Sequence, residues 1–174
     1  MAEIVPTLWS NFKAEEQANY YVSLLPDSRI NRIVRWPMDG TGPNEGAKKG
    51  DVLVVDFTLA GNRYSLLNGG PQFPYSEVVS LMIVVDTQAE VDRLWSKLIG
   101  DSGKESVCGW LKDKFGLSWQ ITPKRLLELI GDKDSAKAAR AMNAMMEMVR
   151  STSPRSRKRR RAELFEHGWR KRCA

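Results

Sequence analysis

Histidine and cysteine are nearly missing from this 174-residue sequence, which has one histidine, His167, and two cysteines, Cys108 and Cys173. Two cysteines so far apart support neither a disulfide framework nor a thiolate zinc site. With no imidazole before residue 167, histidine-based metal binding and acid–base chemistry are excluded from most of the chain. Long apolar runs are also absent: none approaches the roughly 18 to 20 residues that cross a bilayer. The opening MAEIVPTLWSNFKAEE has no basic segment leading into an apolar one, so no secretory signal is expected. A reduced, cytoplasmic protein with no membrane partner is the expectation. Glycine-rich phosphate loops are missing too. Gly40-Thr-Gly42 and Gly69-Gly70 match neither G-x-G-x-x-G nor G-x-x-x-x-G-K-[ST], and neither pair stands between a strand and a helix.

Charge is present, but unevenly. The formal charge is +6, from 27 basic and 21 acidic residues. Ser151 to Ala174 holds nine of the basic residues and two of the acidic ones, leaving 18 basic against 19 acidic in Met1 to Arg150. The body is therefore neutral, and the basicity is a tail. RSRKRRR, Arg155 to Arg161, has the density of a polyanion-binding run, so nucleic acid enters as a partner only through this tail. The Ser-Thr-Ser-Pro lead-in reads instead as a solvated end. Ala162 to Trp169 could form a helical turn that docks on a neighbour.

Hydrophobic spacing gives the organisation. Ile4 to Trp9 reads as a strand. Lys13 to Leu25 reads as a helix carrying Ala14, Ala18, Tyr21, Val22 and Leu25 on one face, capped by Ser10 or Asn11. Arg29 to Trp36 alternates as a strand, and Pro37 to Gly50 reads as an exposed, mobile loop. Asp51 to Leu59 and Arg63 to Leu67 form a hairpin about Ala60-Gly61-Asn62. The pattern then repeats. Val78 to Val85 is a strand and Thr87 to Ile99 an amphipathic helix with Val91, Leu94, Trp95 and Leu98 inward. A short strand near Lys104 to Val107 follows, then Ser106 to Lys112 and Leu117 to Thr122 about a turn at Lys114-Phe115-Gly116. Two βαβββ units precede two helices, Lys124 to Ile130 and Asp134 to Arg150, the second opened by Asp132 or Asp134. Ala138, Met142, Met145, Met146 and Val149 give that last helix an apolar face too wide to leave in water.

Four blocks then point to a family: Pro6-Thr-Leu-Trp9; Ala14-Glu-Glu with Asn19-Tyr-Tyr21; Asn68-Gly-Gly-Pro71; and Cys108-Gly-Trp-Leu-Lys-Asp-Lys-Phe-Gly-Leu-Ser-Trp-Gln-Ile-Thr-Pro123. From about Ile4 to Arg150 the chain resembles the PhnB-like group of the vicinal-oxygen-chelate (glyoxalase/bleomycin-resistance/dioxygenase) superfamily, often labelled 3-demethylubiquinone-9 3-methyltransferase. The resemblance implies an α+β fold of paired βαβββ modules, cupped around a cavity and usually homodimeric. It implies a domain over residues 1–123, with modules of about 1–70 and 71–123. Helices over 124–150 would pack on that domain or on the dimer partner, before a basic tail over 151–174.

Metal-dependent members of that superfamily place four ligands on the cup. The position of the final glutamate, in a D-x-x-G-x-x-x-E pattern, falls here on Gln120 of Asp113-Lys-Phe-Gly116-Leu-Ser-Trp-Gln120. The histidine position on the second module's first strand falls at Ser80. Pro6 or Thr7 and Leu66 or Asn68 take the remaining two. Neutral oxygens hold divalent transition metals weakly, so no catalytic metal and no cofactor are expected. Methyl transfer from S-adenosylmethionine usually uses a doubly wound sheet with a glycine-rich loop, and nothing here matches it.

What remains is a cup for a small, hydrophobic or aromatic ligand. By strand position the candidates to line it are Trp9, Phe57, Asn68, Ser80, Trp110, Trp119 and Gln120, with packing in the core as the competing reading for the aromatic residues. Asp56, in Val54-Val-Asp-Phe-Thr58, is either a cup residue or a solvent-facing one. A metal-dependent glyoxalase or dioxygenase is the rival reading.

Overall fold

The computed structural model describes residues 2–42 and 45–151. The basic run and the Ala162 to Trp169 segment lie outside those residues. The chain divides into two compact units, Met1–Tyr75 and Ser76–Ala174.

The first unit runs β1 (Thr7–Ser10), α1 (Ala14–Val22), β2 (Arg29–Arg35), β3 (Val52–Leu59) and β4 (Asn62–Asn68). Its sheet has the order β1-β4-β3-β2, with β1 parallel to β4 and the other pairs antiparallel. The hairpin between β3 and β4 turns on Ala60 and Gly61, both at positive φ, the geometry that matches the twist of the flanking strands. The second unit repeats the plan with β5 (Ser80–Val85), α2 (Gln88–Ile99), β6 (Lys104–Glu105), β7 (Trp110–Lys112) and β8 (Ser118–Pro123), in the order β5-β8-β7-β6. Two βαβββ units are therefore present, followed by α3 (Lys124–Ile130) and α4 (Ser135–Met146).

Each helix covers one face of its own sheet. In the first unit Tyr21 packs against Phe57, and Leu24, Val55, Leu59 and Leu66 are, like them, nearly inaccessible to solvent. Period-two alternation then puts Val54, Asp56, Thr58, Ser65 and Leu67 on the opposite, open face. In the second unit Val91, Leu94, Trp95 and Leu98 of α2 form the core with Ile83, Leu111, Trp119 and Ile121. The open face there carries Ser80, Met82, Val84, Trp110 and Gln120.

Local chemistry sets the helix ends. Thr87 Oγ1 accepts from the Glu90 amide while the Glu90 carboxylate accepts from the Thr87 amide, a capping box that starts α2. Asp134 caps α4 by accepting from the amides of Ala136 and Lys137. The expected local cap of α1 is not used. Its Ala14 amide donates instead to Asn68 Oδ1, 2.9 Å away at the end of β4. Ser10 and Asn11 precede Lys13, the actual boundary residue, by too much to reach the first turn.

Two expectations change with the structure. The Pro37 to Gly50 loop is tied down where it is described: Gly40 N donates to Ala47 O, Lys49 N donates to Asp39 Oδ1, and Ala47 is buried. The last helix ends at Met146 rather than Arg150, because the chain beyond it pairs with the loop before β7. Cys108 N donates to Met148 O and Gly109 N to Val149 O, and Ser151 is buried against Gly109. Met142 and Met146 stay exposed among the described residues, so α4 keeps part of its apolar face uncovered.

Candidate functional site

The open faces gather five of the eight candidate residues, and the helix-covered faces hold the other three. On the second unit's open face Gln120 Nε2 donates to Ser80 Oγ at 2.8 Å. Gln120 is paired in register with Met82 on one side and Trp110 on the other. This row of thioether, amide and indole runs across β5, β8 and β7, with Met82 half exposed and Trp110 and Gln120 partly so. It offers an apolar floor with one amide that can still accept through its oxygen.

On the first unit's open face Asp56 sits between Arg32 and Ser65, its register partners on β2 and β4. Arg32 approaches one carboxylate oxygen through Nε at 2.9 Å and Nη2 at 2.8 Å, and Ser65 Oγ donates to the other oxygen at 2.9 Å. A carboxylate held by three donors is oriented and charge-compensated, which suits it to a structural or positioning role more than to proton abstraction. Trp9 is on the same face, one row along. Its indole Nε1 donates to Gly70 O at 2.8 Å, and its ring meets Phe73 edge-on at 4.8 Å. Gly69 lies directly beneath the indole, so close that a Cβ there would overlap the ring.

Phe57, Trp119 and Asn68 face the other way. Phe57 is fully buried, stacked on Tyr64 at 5.5 Å and tilted against Tyr21 at 6.3 Å. Trp119 is fully buried, with its indole Nε1 donating to Asp113 Oδ2 at 2.8 Å. Asn68 accepts from Ala14 N and donates to Val52 O at 2.9 Å, so its amide joins three elements. Alternation carries the reason: neighbours along a strand point to opposite faces. Asp56 and Phe57 cannot share a face, and neither can Trp119 and Gln120. Removing the Asn68 amide in Asn68→Ala should cost about 2 kcal/mol, since it strands a buried donor and a buried acceptor. Urea unfolding measures it. A loss within experimental error would mean that water replaces both bonds.

Sequence reasoning missed a second group on the first unit. Arg29, Asn31, Thr58, Gly61 and Arg63 line an open surface hollow of about 430 Å³, in which only Thr58 is buried. Thr58 is in register with Arg29 on β2 and Arg63 on β4, a juxtaposition visible only once the strands are paired.

The four positions that would carry metal ligands do not converge chemically. Ser80 and Gln120 supply a hydroxyl and an amide already bonded to each other. Thr7 is on the open face of the first sheet, whereas Leu66 and Asn68 are turned to the helix. Among the described residues no three His, Cys, Asp or Glu side chains cluster as a metal site would require. The donor set does not fit a divalent transition metal. No helix among the described residues is long and apolar enough to cross a membrane.

Comparison with known proteins places these features in a group. Residues 2–122 match the family model described as 3-demethylubiquinone-9 3-methyltransferase. A putative 3-demethylubiquinone-9 3-methyltransferase, PhnB protein, from Bacillus cereus is 33% identical over 70% of this chain and 99% of its own, with a TM-score of 0.61. Protein PA1353 from Pseudomonas aeruginosa is 21% identical over 71% of this chain and 98% of its own, with a TM-score of 0.55. A glyoxylase/bleomycin resistance protein/dioxygenase domain from Frankia sp. EAN1pec is 10% identical over 71% of this chain and 92% of its own, with a TM-score of 0.44. No curated protein matches.

Proposed function

The chain belongs to the 3-demethylubiquinone-9 3-methyltransferase family that includes PhnB proteins, and from that premise we propose that it is a binding domain for a small, hydrophobic or aromatic molecule. The ligand lies on the open face of the second unit's sheet, the protein acts as a homodimer in the cytoplasm, and it uses neither a resident metal nor methyl transfer.

The observation that carries this reading is the Met82–Gln120–Trp110 row with Ser80 bonded to Gln120. It combines polarizable and aromatic surface with a single oriented amide, the usual make-up of a small-molecule site. Exposed apolar side chains beside it, Val84 and Val79, favour further cover by a second subunit. The reading without metal rests on the chemistry of the donors. The reading without methyl transfer rests on the missing glycine-rich loop and the two βαβββ units, which are not a doubly wound sheet.

Native mass spectrometry of freshly purified full-length protein tests this reading. The expected spectrum is a dimer that retains a small organic adduct, with the adduct reduced several-fold in Trp110→Ala. Stoichiometric zinc, nickel, manganese or iron that survives dialysis would overturn it in favour of a glyoxalase- or dioxygenase-type enzyme. The second alternative, polyanion binding by Arg155 to Arg161, requires a salt-sensitive gel shift that disappears on deleting residues 151–174.

A further inference from the structure

We propose that the open hollow on the first unit is an anion site, in which Arg29 and Arg63 clamp a carboxylate or phosphate group of a small molecule. The inference rests on the reading of an open sheet face as a ligand surface and adds the chemical class of the ligand.

The register brings the groups together. Arg29, Thr58 and Arg63 form one row across β2, β3 and β4, on the same face as the Arg32–Asp56–Ser65 row beside it. Adjacent strands lie about 4.8 Å apart, so the two arginines flank Thr58 from neighbouring strands. A shift in register between Ile30 and Arg32 leaves Asn31 outside the ladder, and its amide swings onto Thr58. Asn31 Nδ2 donates to Thr58 Oγ1 at 2.9 Å, which fixes a neutral polar floor. Thr58 is itself 95% buried, at 5% exposure. Gly61, at positive φ in the hairpin turn, adds no side chain to the rim and has open space where a Cβ would stand.

Charge accounting favours an anion. Arg32 is compensated by Asp56 at 2.8 Å, and Arg63 by Glu3 at 2.6 Å. Arg29 has no carboxylate partner among the described residues, which leaves three guanidiniums against two carboxylates on this face. Glu3 and Arg63 are each about half exposed, so their ion pair is weak and an incoming anion can take the place of Glu3. Two planar guanidiniums about a small polar floor match the oxygens of carboxylates and phosphates, which they bind through paired N–H donors.

Isothermal titration of the full-length protein with benzoate, phenyl phosphate and neutral benzamide separates the possibilities. The two anions should bind about tenfold more tightly than benzamide, a difference equivalent to one hydrogen bond to a charged group. Arg29→Gln should remove most of that advantage, Arg29→Lys should keep part of it, and benzamide binding should be unchanged in both. The stronger of the two anions identifies the source as carboxylate or phosphate. Equal binding of benzamide and the anions overturns the anion site while leaving the ligand-binding reading intact. Failure of all three to bind overturns both.

Discussion

Asp113→Ala should lower the unfolding free energy by about 4 kcal/mol, near the upper end for a single substitution. The carboxylate is buried, and its two oxygens serve three donors. Oδ1 accepts from Phe115 N at 2.8 Å and Leu117 N at 3.1 Å, and Oδ2 accepts from the Trp119 indole at 2.8 Å. Each buried donor left without a partner costs roughly 1–3 kcal/mol, and water can reach the half-buried Phe115 turn more easily than the indole. Asp113→Asn should fall between, because it keeps one carbonyl oxygen but turns an NH₂ toward a donor. Urea denaturation followed by tryptophan fluorescence measures the loss, and a change under 1 kcal/mol would show that the turn holds without its carboxylate. The consequence reaches the candidate site. Asp113 anchors Trp119 on the covered face and so fixes Gln120 on the open one. A slip of one residue along β8 would exchange them.

Gly103→Ala is the second large effect, a destabilisation of about 3 kcal/mol from overpacking. Gly103 follows α2 and precedes β6, where the chain crosses between the helix end and the neighbouring strand. A Cβ there would meet Leu98 O at 2.4 Å, Ile99 Cα at 2.6 Å and Lys112 O at 2.8 Å. All three are backbone atoms, so no side-chain rotation relieves the contact and α2 must move away from β7. Trp95, whose indole donates to Glu105 Oε1 on β6 at 2.7 Å, would then lose its partner. A lowered urea midpoint with an unchanged far-ultraviolet spectrum is expected. A midpoint equal to that of the parent protein would mean that the crossing is looser than its geometry.

The family resemblance was legible because its blocks coincide with positions that the fold constrains. Asp113 to Gly116 is one such block: the acid holds the turn, and Gly116 takes positive φ within it. Gly69 is another, since it must lie bare beneath Trp9. The site was legible only in part. Counting along strands is enough to reach Ser80, Trp110 and Gln120, and also Asp56 and Trp9. Phe57 and Trp119 stand beside Asp56 and Gln120, which alternation forces onto the opposite face, a conflict present in the sequence itself. Asn68 carried no such signal. Its partners, Ala14 and Val52, stand 54 and 16 residues away.

The sequence by itself determined the order of elements, the repeat of βαβββ, the hairpin at Ala60-Gly61 and the separation of a neutral body from a basic tail. These depend on spacing, turn chemistry and composition, which are local or additive. Only the tertiary structure decided which face of each sheet its helix covers, which distant group caps α1, and that Arg29, Thr58 and Arg63 stand side by side. Those outcomes depend on strand register and on the docking of one amphipathic face. Both are set by contacts between residues far apart in the chain, which no window of sequence contains.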